Sequence, residues 1–120
     1  MTDQTIEQAI QAAGKTAPRV TPKDIEDNIA HEHFFTASDG YCGADGQEWG
    51  RAVYPKALGL LTFCVLVLRN GFTVTGESAC ASPENFDAEI GRKIARTNAV
   101  QKIWPLMGYG LKQKLSEAET

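Results

Sequence analysis

The chain has 120 residues, with twelve Lys and Arg against fifteen Asp and Glu, a net charge of −3 and a 42% hydrophobic share; these make one domain of ordinary globular balance. The acidic balance argues against broad, charge-driven binding to nucleic acid. An odd count of three cysteines, with no basic segment leading into an apolar run at the start, argues against a secreted disulfide scaffold and for reducing cytoplasm.

Taken in chain order, residues 1 to 20 carry one weak amphipathic turn (Ile6, Ala9, Ile10, Ala13) followed by Gly14 and Pro18, which predicts a frayed, flexible N-terminal segment. Thr21-Pro22-Lys23-Asp24 is a helix start: a hydroxyl cap, a proline at the first position and an acid in the first turn. The short helix it opens is placed within 21–36, with His31 to Thr36 as its end or as a short strand. Glycines at 40, 43, 46 and 50, with Ser38, Asp39 and Asp45 and little periodicity, predict a glycine-rich loop over 37–56.

The segment 57–118 is a hairpin–helix core. Its apolar run from Ala57 to Leu68 is shorter than the roughly 18 residues of a membrane span and must be covered by protein. Phe63, Val65 and Val67 precede Arg69-Asn70-Gly71, and Phe72 to Thr75 alternates after it, so strands are expected at about 60–69 and 72–80. The first strand is apolar on both faces: helices cover one, and a second subunit is available to cover the other. Ser82-Pro83-Glu84-Asn85 repeats the helix-start chemistry, and Phe86, Ile90 and Ile94 then line one face beside a stripe of small residues, Gly91, Ala95 and Ala99. Pro105, reinforced by Gly108 and Gly110, is expected to break or kink this helix near Trp104, leaving a short final helix at Leu111 and Leu115. The fold class is α+β, a β-hairpin followed by a long, Pro-kinked C-terminal helix with one or two short N-terminal helices.

Three groups of residues carry candidate chemistry. Ser78, Cys80 and Ser82 gather a thiol and two hydroxyls at a helix N-terminus, where free amides favour anions and depress a nearby thiol's pKa. The same residues are fully accounted for as a strand end and a helix cap. His31, Glu32 and His33, with Asp39, Cys42 and Asp45, invite a zinc reading, but paired Cys-x-x-Cys spacing is missing, and no metal or cofactor is assigned. Arg92, Lys93 and Arg96 form a basic helical set able to hold an anion with Ser78, Ser82, Asn85 and the amides of residues 82–85; against this stands a solvated helix face with Glu89 as partner. Trp104 and Tyr109 are placed in the core. Nothing matches a phosphate loop, a dinucleotide fingerprint, a serine elbow or a carboxylate pair, so no catalytic residue is named.

The run from Leu61 to Cys80, then Asn85-Phe86-Asp87, Ile90 to Ala95 and Ile103-Trp104-Pro105-Leu106-Met107-Gly108-Tyr109, resembles a family of small tailed-phage proteins catalogued after gene product forty-nine of one phage and gene product sixty-six of another. The likeness covers about 58–112 and also residues 21–35. The family is carried as function unknown, so it implies a phage gene expressed inside a bacterium and transfers no catalytic residue.

The leading expectation is a non-enzymatic phage accessory protein that acts by binding in the host cytoplasm. In its sharper form, a homo-oligomer sequesters a small anionic nucleotide immune signal through Arg92, Lys93, Arg96, Ser78, Ser82 and Asn85. The alternative is a protein–protein module that blocks a host factor, using the 37–54 loop or the Trp104–Tyr109 corner. A third is a small cysteine- or metal-dependent enzyme. No membrane partner is expected.

Overall fold

The computed structural model describes residues 2–15, 17–44 and 53–119. Their elements run α1 (Asp3–Ala12), α2 (Pro22–Asp27), β1 (Ile29–Thr36), α3 (Ala37–Ala44), β2 (Leu61–Leu68), β3 (Thr73–Ala79) and α4 (Ala88–Ala118), with short 3₁₀ turns at Lys56–Leu60 and Pro83–Asn85. The fold is α+β, a three-stranded antiparallel sheet of order β1-β2-β3 with α4 laid across one face.

The expected hairpin is present, and its turn has a local cause. Leu68 and Phe72 close a three-residue loop, Gly71 takes the left-handed conformation at φ 90°, and the Asn70 side chain accepts from the Phe72 amide at 2.9 Å. The third strand was only half-legible: residues 29–36 form a full eight-residue strand, and the predicted short helix stops at Asp27. A capping box starts that helix, with Thr21 Oγ1 accepting from the Asp24 amide and the Asp24 carboxylate accepting from the Thr21 amide. From His31 onward the side chains alternate, so Phe34 faces the helix layer beside Cys64 while His31, His33 and Phe35 share the opposite face with Val67, Val65 and Phe63.

Strand β2 is thus central. Thr62, Cys64, Leu66 and Leu68 are buried on its helix side, with Cys64 and Leu66 fully sealed. Val74 of β3 and Ile25, Ala95, Ala99, Val100 and Ile103 complete that core. The helix presents its small residues inward: Ile90 and Ile94, expected to form the apolar face, are 55% and 46% exposed. The reason is distance. A Cβ added to Gly76 would lie 2.2 Å from the Ala95 carbonyl oxygen and 2.3 Å from the Ala99 nitrogen, so backbone meets backbone where β3 crosses α4. A large side chain at 95 or 99 would hold the layers apart.

Several expected boundaries move. The helix does not start at Ser82; residues 83–85 form a 3₁₀ turn, and Asp87 is the cap, its carboxylate accepting from the Glu89 and Ile90 amides at 2.9 and 3.1 Å. Nor does the helix break at Pro105. It runs unbroken to Ala118, because Pro105 and Gln101, the residue whose carbonyl loses its amide, are both exposed to water. Continuity has a cost: relative to alanine, an interior proline costs about 3 kcal/mol and a glycine about 1 kcal/mol, and Pro105, Gly108 and Gly110 lie close together. The first part of the expected loop, Ala37 to Ala44, is α3. Its start is set by Thr36 and Asp39, whose side chains exchange hydrogen bonds with each other's amides at 3.2 and 2.8 Å. Residues 45–52 of that loop lie outside the described residues. The N-terminal segment is also anchored: Thr2 caps α1, Trp104 Nε1 donates to Asp3 at 3.1 Å, and Arg19 forks onto the largely buried Glu7.

Arg96 ties the helix layer to the N-terminal elements. Its guanidinium donates through both terminal nitrogens to the Glu26 carboxylate, at 3.0 and 2.8 Å, and through Nε to Glu32 at 2.7 Å. The Arg96 hydrogen bonds hold Glu26 below the usual carboxylate range, and the two glutamates push Arg96 up. Because Glu26 has a depressed folded pKa, its contribution is complete above the unfolded value near ~4.3 and is lost as pH falls through the folded value.

Two outcomes follow. Gly76→Ala should lower stability by about 3 kcal/mol, read from the urea midpoint, since neither backbone neighbour can move without lifting α4. Arg96→Met should cost about 1 kcal/mol at neutral pH, a modest figure for half-exposed pairs, and should flatten the loss of stability seen below about pH 4.

Candidate functional site

The six candidate ligand residues do not converge on one point. Ser78, near the end of β3, and Asn85, in the 3₁₀ turn, line a cleft of about 130 Å³ with Cys80, Phe86, Ile90 and Gly91. Arg92 lies on the other side of Phe86, in a cleft of about 110 Å³ shared with Thr36, Asp39, Thr62 and Phe35. Phe86, the residue that ends the Pro83–Asn85 turn, lines both clefts. Ser82 stands apart from both clefts: its hydroxyl donates to Glu84, and its carbonyl accepts from the Cys80 thiol at 3.1 Å.

The basic set is likewise divided. Arg96 spends its guanidinium on Glu26 and Glu32, away from either cleft. Lys93 pairs with Glu89 at 3.5 Å, four residues back on an exposed face. Arg92 makes neither a hydrogen bond nor an ion pair among the described residues and so keeps its charge available. In its cleft the Asp39 carboxylate is turned to the Thr36 amide at 2.8 Å, and the Thr36 and Ser38 hydroxyls are bonded to each other at 2.7 Å.

The amides expected to receive an anion are also largely engaged. The Asn85 amide donates to Ser82 and the Phe86 amide to Pro83, while Asp87 occupies the positive end of α4 with a carboxylate of its own. A sequence-level sign of this was present in Asp87 itself, which stands one residue before the helix proper and is a stronger capping residue than the proline-led turn suggested.

The cysteines show no shared chemistry. Cys80 donates its S–H within its own turn, and Cys64 is sealed under α4, where burial pushes its thiol up. The rings of His31 and His33 stand on the open face of the sheet, 6.5 Å apart and tilted by 22°. Among the described residues no three His, Cys, Asp or Glu side chains are grouped to hold a metal ion. Of the two aromatic residues assigned to the core, Trp104 packs against it, but Tyr109 is 74% exposed.

The feature that sequence reasoning located best is the second face of β2. Leu61, Phe63, Val65 and Val67 all point away from α4 and remain half-exposed. Their cross-strand neighbours are His31, His33 and Phe35 on one side and Thr73, Thr75 and Glu77 on the other, and the Phe35 and Phe63 rings lie 5.5 Å apart. Helix α4 lies on the opposite face, α3 touches β1 and β2 with Gly40 beside the Phe35 ring, and among the described residues no helix is long and apolar enough to cross a membrane.

Comparison with curated proteins and with solved structures returns no significant match. A family model, by contrast, matches residues 20–115, which takes in α2, the whole sheet and nearly all of α4. On that match the chain belongs to the phage protein (N4 Gp49/phage Sf6 gene 66) family.

Proposed function

We propose that the protein is a non-enzymatic phage accessory protein that acts by binding in the host cytoplasm as a homo-oligomer. The observation that carries this reading is the partly exposed apolar face of the sheet, opposite α4. A strand with Phe63, Val65 and Val67 half-exposed in a row, flanked by Phe35, is a surface that association removes from water, at roughly 25 cal/mol per Å² of apolar area. A second copy offers the same face, and sheet-on-sheet packing is an ordinary way to bury it.

The ligand in this reading is a small anion, such as a nucleotide immune signal, held at the Arg92 cleft. Two features support it: Arg92 has no ion-pair partner among the described residues, and Phe35 belongs both to that cleft and to the sheet face opposite α4. A ligand there would lie next to the second copy and would be enclosed by it. Phe86 and Phe35 supply apolar walls, and the Asp39 carboxylate and Thr36 hydroxyl of the same cleft are held by each other's amides. Lys93, Arg96, Ser78, Ser82 and Asn85 contribute less than their sequence positions suggested, being bonded elsewhere or separated from Arg92 by Phe86.

Light scattering on the eluting protein should give a mass above the 13.0 kDa monomer, and Val65→Glu should lower it while the circular dichroism spectrum stays that of the parent. Thermal-shift screening against cyclic nucleotides, cyclic ADP-ribose isomers and inorganic phosphate should find at least one stabilising compound, a ligand at a hundred times its Kd adding about 2.7 kcal/mol. Arg92→Ala should weaken that ligand about tenfold. No stabilisation of a folded oligomer by any of them would remove the ligand claim.

A further inference from the structure

We infer that α1 is a removable strap, and that its seat on the core is a docking site for an amphipathic helix of another protein, one that carries the same acid and apolar pattern with larger apolar residues. Neither the sheet face nor the Arg92 cleft includes α1, so this site is separate from both.

Asp3, Ile6, Glu7 and Ile10 fall at i, i+3, i+4 and i+7 and therefore share one face of α1. That face looks onto Val20, Pro22, Gln101 and Trp104. The two sides do not meet closely: a cleft of about 220 Å³ lies between them, whereas a well-packed interior leaves few voids larger than a water molecule. Glu7 is the one α1 residue that is buried, and Ile6 is 43% exposed. What holds the helix is therefore recognition of its acids more than apolar packing. Trp104 Nε1 and Gln101 Nε2 donate to Asp3 at 3.1 and 3.5 Å, and Arg19 forks onto both oxygens of Glu7.

Such a helix is easily lifted. Ten residues are too few for a stable helix alone in water, and among the described residues no backbone hydrogen bond joins α1 to the sheet or to another helix. Gly14, in the left-handed conformation at φ 71°, turns the chain just beyond its end. Val20, Pro22, Gln101 and Trp104 all lie inside the segment that the family model matches, while α1 precedes it.

A tethered strap has the advantage of an effective concentration on the order of millimolar. A helix supplied from outside displaces it by filling what α1 leaves empty. Two acids four residues apart keep the bonds to Trp104, Gln101 and Arg19, and Phe or Met in place of Ile6 and Ile10 reaches into the cleft. The occupant is thus an amphipathic helix of pattern acid-x-x-apolar-acid-x-x-apolar whose two apolar residues are large.

The probe is a fluorescein-labelled peptide of residues 2–15 carrying Ile6→Phe and Ile10→Phe, titrated onto the full chain and followed by anisotropy. It should bind saturably, and about tenfold more tightly to the full-chain variant Ile6→Ser/Ile10→Ser, whose own strap is weakened. Arg19→Glu in the chain should reverse the preference between this peptide and its Glu7→Lys form. Hydrogen exchange on the parent should show the α1 amides opening well before those of β2, and opening further at peptide saturation. No saturable binding to either chain overturns the inference. Equal affinity for the parent and the weakened-strap variant overturns it too, as does saturation that leaves α1 exchange unchanged, since the peptide then binds elsewhere. Protection of α1 equal to that of β2 in the free parent removes the strap.

Discussion

Everything in this fold depends on how closely α4 approaches β3. Where Gly76 faces Ala95 and Ala99, the two backbones are nearer than any side chain would permit, and that contact sets the height of the helix above the whole sheet. At this separation Cys64 and Leu66 of the central strand are fully buried in a core that Ala95, Ala99, Val74, Val100, Ile25 and Ile103 complete. Over the first turns of α4 the usual arrangement, large residues in and small ones out, is inverted, and Val100 and Ile103 restore it further along. Its isoleucines at 90 and 94 are left at the surface as a consequence of the closeness.

This inversion also explains what could be read from the residues and what could not. The hairpin was legible because Asn70 and Gly71 have a local conformational reason to be in a turn, and α2 because Thr21, Pro22 and Asp24 act within one another's reach. The buried side of α4 was not, since periodicity marked both the Ile90–Ile94 row and the Gly91–Ala95–Ala99 row, and only Gly76, far away in the chain, decides between them. Strand β1 was ambiguous for a similar reason: Glu32 reads as a solvent residue until Arg96 is seen opposite it. Helix α3 was hidden by its glycines, although Thr36 and Asp39 carried the signal of its start. The continuity of α4 through Pro105 depended on which side of the helix faces water, which a pattern of letters does not record.

The candidate site was legible in its location more than in its membership. Sequence placed the chemistry at the junction of β3 and α4, where one cleft holds Ser78 and Asn85, while Arg92 lines a different cleft formed with β1, α3 and β2. The cations were harder to assign because a basic residue's availability is settled by distant acids. Glu26 and Glu32 claim Arg96 across the molecule, while Arg92, one helical turn earlier, meets no carboxylate partner among the described residues. The capping of α4 by Asp87 in turn removes the helix end as a ready anion seat. What remains is a scaffold whose buried side accounts for its folding and whose opposite sheet face keeps Phe63, Val65 and Val67 only partly buried.

The sulfur of Cys64 has a further significance. It sits at zero exposure beneath the point of closest approach, its ionisation disfavoured by burial, so in the closed molecule it is shielded from electrophiles. It becomes reactive only when the helix lifts from the strand, and its rate of modification is therefore a native-state clock for that local opening. Evolution has left inside this small protein a reporter of breathing motions that needs no engineered label.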